Sequence, residues 1–191
     1  VAAELRARLV EAAGRVTVGD PTLREHWMGP LINAAAVQRY RKAVDHLAAA
    51  GGIDHGGRVL TDGPLAAGHF VAPTVAHAGP DDPLWQEVLF VPLVLVGEVD
   101  SLEAGIDAAN RSDYGLTAGF YGGPDEIATF LDRIEAGVTY VNRPQGATTG
   151  AWPGYQPFGG WKASGTTGKA IGSFWYLPQY LREQSRTIVD P

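Results

Sequence analysis

The chain has 191 residues, 45% of them apolar and 19% charged, which suffices for a buried core and excludes a disordered polymer. A formal charge of −6 and a pI near 5.3 count against a nucleic-acid or anionic-membrane surface, and no basic run offsets them. Cysteine does not occur, which excludes disulfides, thiolate metal sites and a thiol nucleophile within these residues.

No apolar run approaches the ~20 residues that span a bilayer, and no signal-peptide pattern opens the sequence. The expected compartment is therefore cytoplasmic. The sequence begins at Val1 inside a helical pattern, so a piece of a longer protein is expected. Its 25 glycines and 13 prolines predict many turns and long loops.

In chain order, Ala2 to Ala13 reads as a helix with Leu5, Leu9 and Ala12 on one face and Gly14 at its end. A short extended piece, Val16 to Pro21, follows. Asn33 is a good N-cap for a second helix, in which Val37, Tyr40, Val44 and Leu47 recur at helical spacing until Gly51-Gly52. Gly56 to Thr61 and Phe70 to Ala76 read as strands separated by turn chemistry. Val88 to Val99 is the most apolar segment and fits a strand covered on both faces, with Pro92 marking an edge, bend or bulge.

Asp100 or Ser101 can cap a helix carrying Leu102, Ile106 and Ala109, with Asn110 near its end. Leu116 to Tyr121 is a strand, and Ile127, Phe130, Leu131 and Ile134 mark a further helix that Gly137 ends. A strand from Val138 to Asn142 leads into a loop that lasts to Gly165. Alternation of strands and helices here implies right-handed crossovers and a largely parallel twisted sheet with flanking helices. The fold class is α/β. After the loop, Thr167 to about Leu181 reads as helical with a break near Pro178, and Arg182 to Val189 alternates as a last strand. Such a terminal strand could pair with a partner's sheet edge, and a frayed tail fits the pattern equally well.

The loop from Val141 to Gly165 combines six glycines and three prolines with Trp152, Tyr155, Phe158 and Trp161. A long loop with its own apolar anchors shapes a binding pocket or wraps a surface, and here a pocket is expected. Other motifs are weaker. Gly165-Thr166-Thr167-Gly168-Lys169-Ala170 lacks the first glycine and the hydroxyl residue of a phosphate-binding loop. The five histidines show no ligand spacing, so no metal site is expected. Asp81-Asp82 and Asp125-Glu126 sit at helix starts, where acids suit the dipole. Ser164 has no histidine near it in sequence, and no catalytic constellation is visible.

Several segments together resemble the C-terminal portion of the NAD(P)-dependent aldehyde dehydrogenase superfamily. They are Val18-Gly19-Asp20-Pro21, Met28-Gly29-Pro30-Leu31-Ile32, Gly68 to Val75, Asn110 to Gly119, Gly137 to Asn142 and Gln156 to Gly165. Thr149-Gly150-Ala151 ahead of Gln156-Pro157-Phe158-Gly159-Gly160 is similar to the branch acting on 1-pyrroline-5-carboxylate, the cyclic form of L-glutamate γ-semialdehyde, in proline degradation.

The resemblance implies a thiolate that attacks the aldehyde, hydride transfer to NAD and a glutamate base that activates water. Both catalytic residues belong to a more N-terminal part of the family pattern, so none is assigned here and the chain alone is expected to be inactive. The main NAD fold is likewise expected upstream. By position, Gly150 and Ala151 match the backbone amides that hold the substrate's α-carboxylate, and Phe158 matches the wall of the aldehyde tunnel. Clustered N–H groups in a glycine turn do favour an anion.

For the cofactor, Phe90 fits the family pattern, whereas its ribose-binding glutamate position holds Val88 and the carboxylate lies one step earlier at Glu87. In a regular strand those side chains would point to opposite faces. On this reading residues 1–175 are a partial catalytic domain with the substrate loop at 141–165, and residues 176–191 a helix end and oligomerisation arm. A homodimer or higher homo-oligomer is implied. Two other readings stay open: an enzyme for another aldehyde, and a non-catalytic dimerisation or interaction module of the same fold. A Gly-Gln-x-Cys motif in the reading frame ahead of Val1 would favour an enzyme.

Overall fold

In the computed structural model, helix α2 (Ala34–Ala49) starts where Asn33 accepts the Ala36 N–H at 2.9 Å. It buries the face that its spacing predicts: Val37, Tyr40, Val44 and Leu47, with Ala36 and Ala43. The structure describes residues 1–144, 156–165 and 169–190, in two compact units, Val1–Val99 and Asp100–Pro191.

In the first unit, helix α1 (Ala2–Gly14) turns Leu9, Val10 and Ala13 inward, while Leu5 and Ala12 are exposed, so its covered stripe is rotated from the predicted face. Strand β1 (Ile53–His55) pairs antiparallel with β2 (Thr74–His77), which pairs parallel with β3 (Leu93–Val96). Tyr40, Val44 and Val71 form the core, joined by Leu31, Ile53, Val59, Val91 and Leu93. The predicted strand at 56–61 is reduced to one bridge, Val59 to Val71. Gly56 and Gly57 take φ of +80° and +66°, which end β1 and turn the chain before that segment.

The apolar run at 88–99 forms a strand only after Pro92. Proline cannot donate to the ladder, and residues 88–91 before it are irregular. Pro92 still contributes its carbonyl, which accepts the Thr74 N–H at 2.9 Å. Val94 remains exposed while Val96, on the same face of the strand, is buried, so within this unit that face of β3 is covered only towards its C-terminal end.

In the second unit, Ser101 caps α3 (Leu102–Asn110) by accepting the Ala104 N–H at 3.1 Å. Strand β4 (Tyr114–Gly115) is followed by β5 (Thr117–Phe120), helix α4 (Pro124–Arg133) and β6 (Val138–Val141). Strands β5 and β6 pair in parallel through α4, as the alternation predicts. Ile106, Phe130, Ile134 and Ala136 make this core, with Phe120 stacked on Phe130 at 5.0 Å. Strand β7 (Trp161–Lys162) pairs antiparallel with β4.

The predicted C-terminal helix is absent from the described residues 169–181, which hold turns and one short 3-10 segment, Pro178–Tyr180. Gly172 at φ +78° and Pro178 interrupt helical geometry on either side. Residues 182–190 lie in no strand within this chain and are exposed. Among the described residues β2–β3 and β5–β6 pair in parallel and β1–β2 and β4–β7 antiparallel, in an α/β architecture.

Candidate functional site

The second unit contains a cavity of about 630 Å³. Phe158 lines it, with Trp161, Ser164, Lys169, Trp175 and Tyr180 among its neighbours. Phe158 is fixed by its backbone: its N–H donates to the Ile171 carbonyl at 2.8 Å, and the two residues form an antiparallel bridge. Gly150 and Ala151, the expected carboxylate anchor, lie outside the described residues.

The hairpin that follows Phe158 is clamped against the segments 110–115 and 135–137. The Gly115 N–H donates to Ser164 Oγ at 3.1 Å, and the Ala163 N–H donates to the Asp113 carbonyl at 3.0 Å. Ser164 thereby has a structural task on the pocket wall. Gly137 abuts the Gly159 carbonyl so closely that an added Cβ would overlap it. Only glycine permits that approach.

Lys162 is the residue whose importance sequence reasoning missed. Its ammonium donates to the carbonyls of Asn110 at 2.6 Å and Ser112 at 3.0 Å, and pairs with Glu135 at 2.6 Å. Three acceptors match the three protons of an ammonium. Two of them sit at the C-terminal end of α3, where the helix dipole favours a cation. Asn110 also binds the α4–β6 connection: its amide donates to the Arg133 carbonyl at 2.8 Å, and its Oδ1 accepts the Glu135 N–H at 2.9 Å. The available signal was a lone lysine amid glycines, but its partners lie 27 to 52 positions away.

Glu87 and Phe90 lie in the first unit, between a 3-10 turn (Pro83–Gln86) and β3, and both are exposed. The opposite-face argument for Glu87 and Val88 does not hold, because no regular strand exists there. Phe90, three positions after Glu87, takes φ +52°, a left-handed conformation that is costly for an aromatic residue.

The other candidates have structural tasks. Asp82 accepts the Leu84 N–H at 2.9 Å and pairs with His46 at 2.9 Å. Glu126 accepts the Gly123 N–H at 2.9 Å at the start of α4. His77 and Arg6 share Asp54, at 3.0 Å and 2.5 Å. Among the described residues no group of three metal-ligating side chains occurs, and no helix is long and apolar enough to cross a membrane.

Comparison with known proteins adds a further set of findings. The model of the aldehyde dehydrogenase family matches residues 1–185. The 1-pyrroline-5-carboxylate dehydrogenase 1 of Halalkalibacterium halodurans is 33% identical over 191 residues, covering 98% of this chain and 35% of that protein. The 1-pyrroline-5-carboxylate dehydrogenase of Bacillus licheniformis is 34% identical with the same shares covered. Among solved structures, 1-pyrroline-5-carboxylate dehydrogenase from Thermus with bound NAD superimposes with a TM-score of 0.79 at 32% identity. That match covers 92% of this chain and 33% of the other. The chain spans about a third of the length of the relatives it matches.

Proposed function

The chain belongs to the aldehyde dehydrogenase family, and on that premise we propose that it supplies the substrate-facing part of an enzyme oxidising L-glutamate γ-semialdehyde to L-glutamate. The observation that carries the reading is Phe158 on the wall of a cavity, eight and seven positions after Gly150 and Ala151, in a chain 33–34% identical to 1-pyrroline-5-carboxylate dehydrogenases. The ring of Phe158 excludes water from the aliphatic part of the substrate, while the amides at 150–151 orient its α-carboxylate.

NAD, when bound, supplies the hydride acceptor. Glu87 would take its ribose hydroxyls, with Phe90 as an apolar flank. These 191 residues hold no cysteine, so in this reading the thiolate comes from outside them. The exposed segment 182–190, with Ile188 and Val189 bare, is read as an arm that adds to the sheet of a second copy.

The reading is tested by binding. L-glutamate, the product, should shift the amide resonances of Gly150, Ala151 and Phe158 in the 191-residue chain. γ-Aminobutyrate, which lacks the α-carboxylate, should shift Phe158 but leave Gly150 and Ala151 unmoved, and Gly150→Val should remove the difference. Equal responses to both ligands in the unaltered chain would contradict the anchor. With NAD and the semialdehyde, the same chain should give no turnover above background, and measurable turnover would sink the claim that the thiolate lies elsewhere.

A further inference from the structure

The hairpin Gly159–Gly165 carries one residue in an unusual backbone conformation, Lys162 at φ +52°. A side chain rarely adopts this geometry unless its surroundings over-determine it. Here they do. The ammonium reaches the Asn110 and Ser112 carbonyls and the Glu135 carboxylate, and its side chain is only 24% exposed. The cation therefore joins three stretches of the second unit: the end of α3, the approach to β6 and the hairpin itself. Phe158 and Trp161 flank this hairpin's start, and both line the cavity.

We propose that Lys162 is the positioning residue of the pocket wall, holding Phe158 and Trp161 in place through its three-way contact. Lys162 itself does not line the cavity. It acts by fixing the hairpin against the C-terminal end of α3, whose dipole and two carbonyls attract a cation specifically. Glu135 completes the charge balance, and Asn110 holds Glu135's backbone in register. Arginine could keep the charge and most contacts with a longer, planar head. A methionine of similar length would fill the space but leave three acceptors without their donor.

The test uses the 191-residue chain, with nitrogen-15 spectra in which the Trp161 indole is assigned by Trp161→Phe. Lys162→Met should move the Trp161 indole and Phe158 amide signals while those of Trp27 and Trp85 stay in place. Lys162→Arg should restore them in part. Unchanged Trp161 and Phe158 signals in a folded Lys162→Met chain would overturn the proposal, leaving the lysine a general stabiliser. Should Lys162→Met unfold the second unit, Glu135→Ala removes one of the three acceptors and decides by the same two signals.

A second readout rests on the proposed substrate: Lys162→Met should weaken L-glutamate binding about tenfold or more, because a pocket wall misplaced by about 1 Å can cost up to ~10²-fold. If the unaltered chain ignores glutamate, the substrate reading fails while the tryptophan signals still decide the role of Lys162.

Discussion

Tyr40 shows how much one side chain does in the first unit. Its ring is 1% exposed, and its hydroxyl lies 3.0 Å from the Ala72 carbonyl and 2.7 Å from Thr74 Oγ1. Thr74 in turn accepts the Gly57 N–H at 3.0 Å. Burial pushes the phenol above its ordinary pKa, so it stays neutral. Tyr40→Phe should lower the stability of this unit by about 0.5–1.5 kcal/mol, since it removes the buried hydroxyl's bonds while Thr74 Oγ1 still donates to the Ala72 carbonyl at 3.0 Å. Urea denaturation measures it, and a change near zero would mean that the network rearranges without cost. Helical spacing marks Tyr40 as a core position, but its hydroxyl partners lie up to 34 positions away, beyond any local pattern. The same holds for Lys162. A resemblance can point to the pocket wall at Phe158, whereas the cation that fixes it becomes visible only once three distant segments meet.

At the scale of elements, the legible parts were those with strong local rules. Helices α2, α3 and α4 and strands β5 and β6 form where periodicity and caps place them, except that α4 ends at Arg133, with Ile134 already extended, before the predicted stop at Gly137. The illegible parts were those where a backbone constraint outweighed apolar content: Gly56-Gly57 after β1 and Gly172 ahead of Pro178, while Pro92 and Pro178 are legible as breaks but reach further than expected. Helix α1 is fastened differently, by Arg6 sharing Asp54 with His77. Burial raises the pKa of Asp54, but the hydrogen bonds from Arg6 and His77 outweigh it and hold the carboxyl below its ordinary value of 3.8. A depressed carboxyl contributes stability above its unfolded pKa and loses it as pH falls through the lower folded value. The thermal midpoint should therefore drop as pH is taken below about 4, and Asp54→Asn should flatten part of that slope. An unchanged slope in the variant would assign the acid response to other carboxyls.

For the molecule as a whole, the bare segment at 182–190 carries the prediction about assembly. Removing Arg182 onward should lower the mass seen by light scattering and make the thermal midpoint independent of protein concentration, because the contact between copies is lost while no strand within this chain includes the segment. An unaltered mass would count against the arm. Gly137 sets a different kind of limit. It meets Gly159 main chain to main chain, so no neighbouring side chain can be trimmed to admit a methyl group there. Second-site reversion by a smaller neighbour is closed off, and only a shift of the whole hairpin would make room. A lineage reshaping this pocket can exchange the rings at 158 and 161 freely by comparison. Position 137 would stay fixed through such drift for a reason unrelated to the ligand.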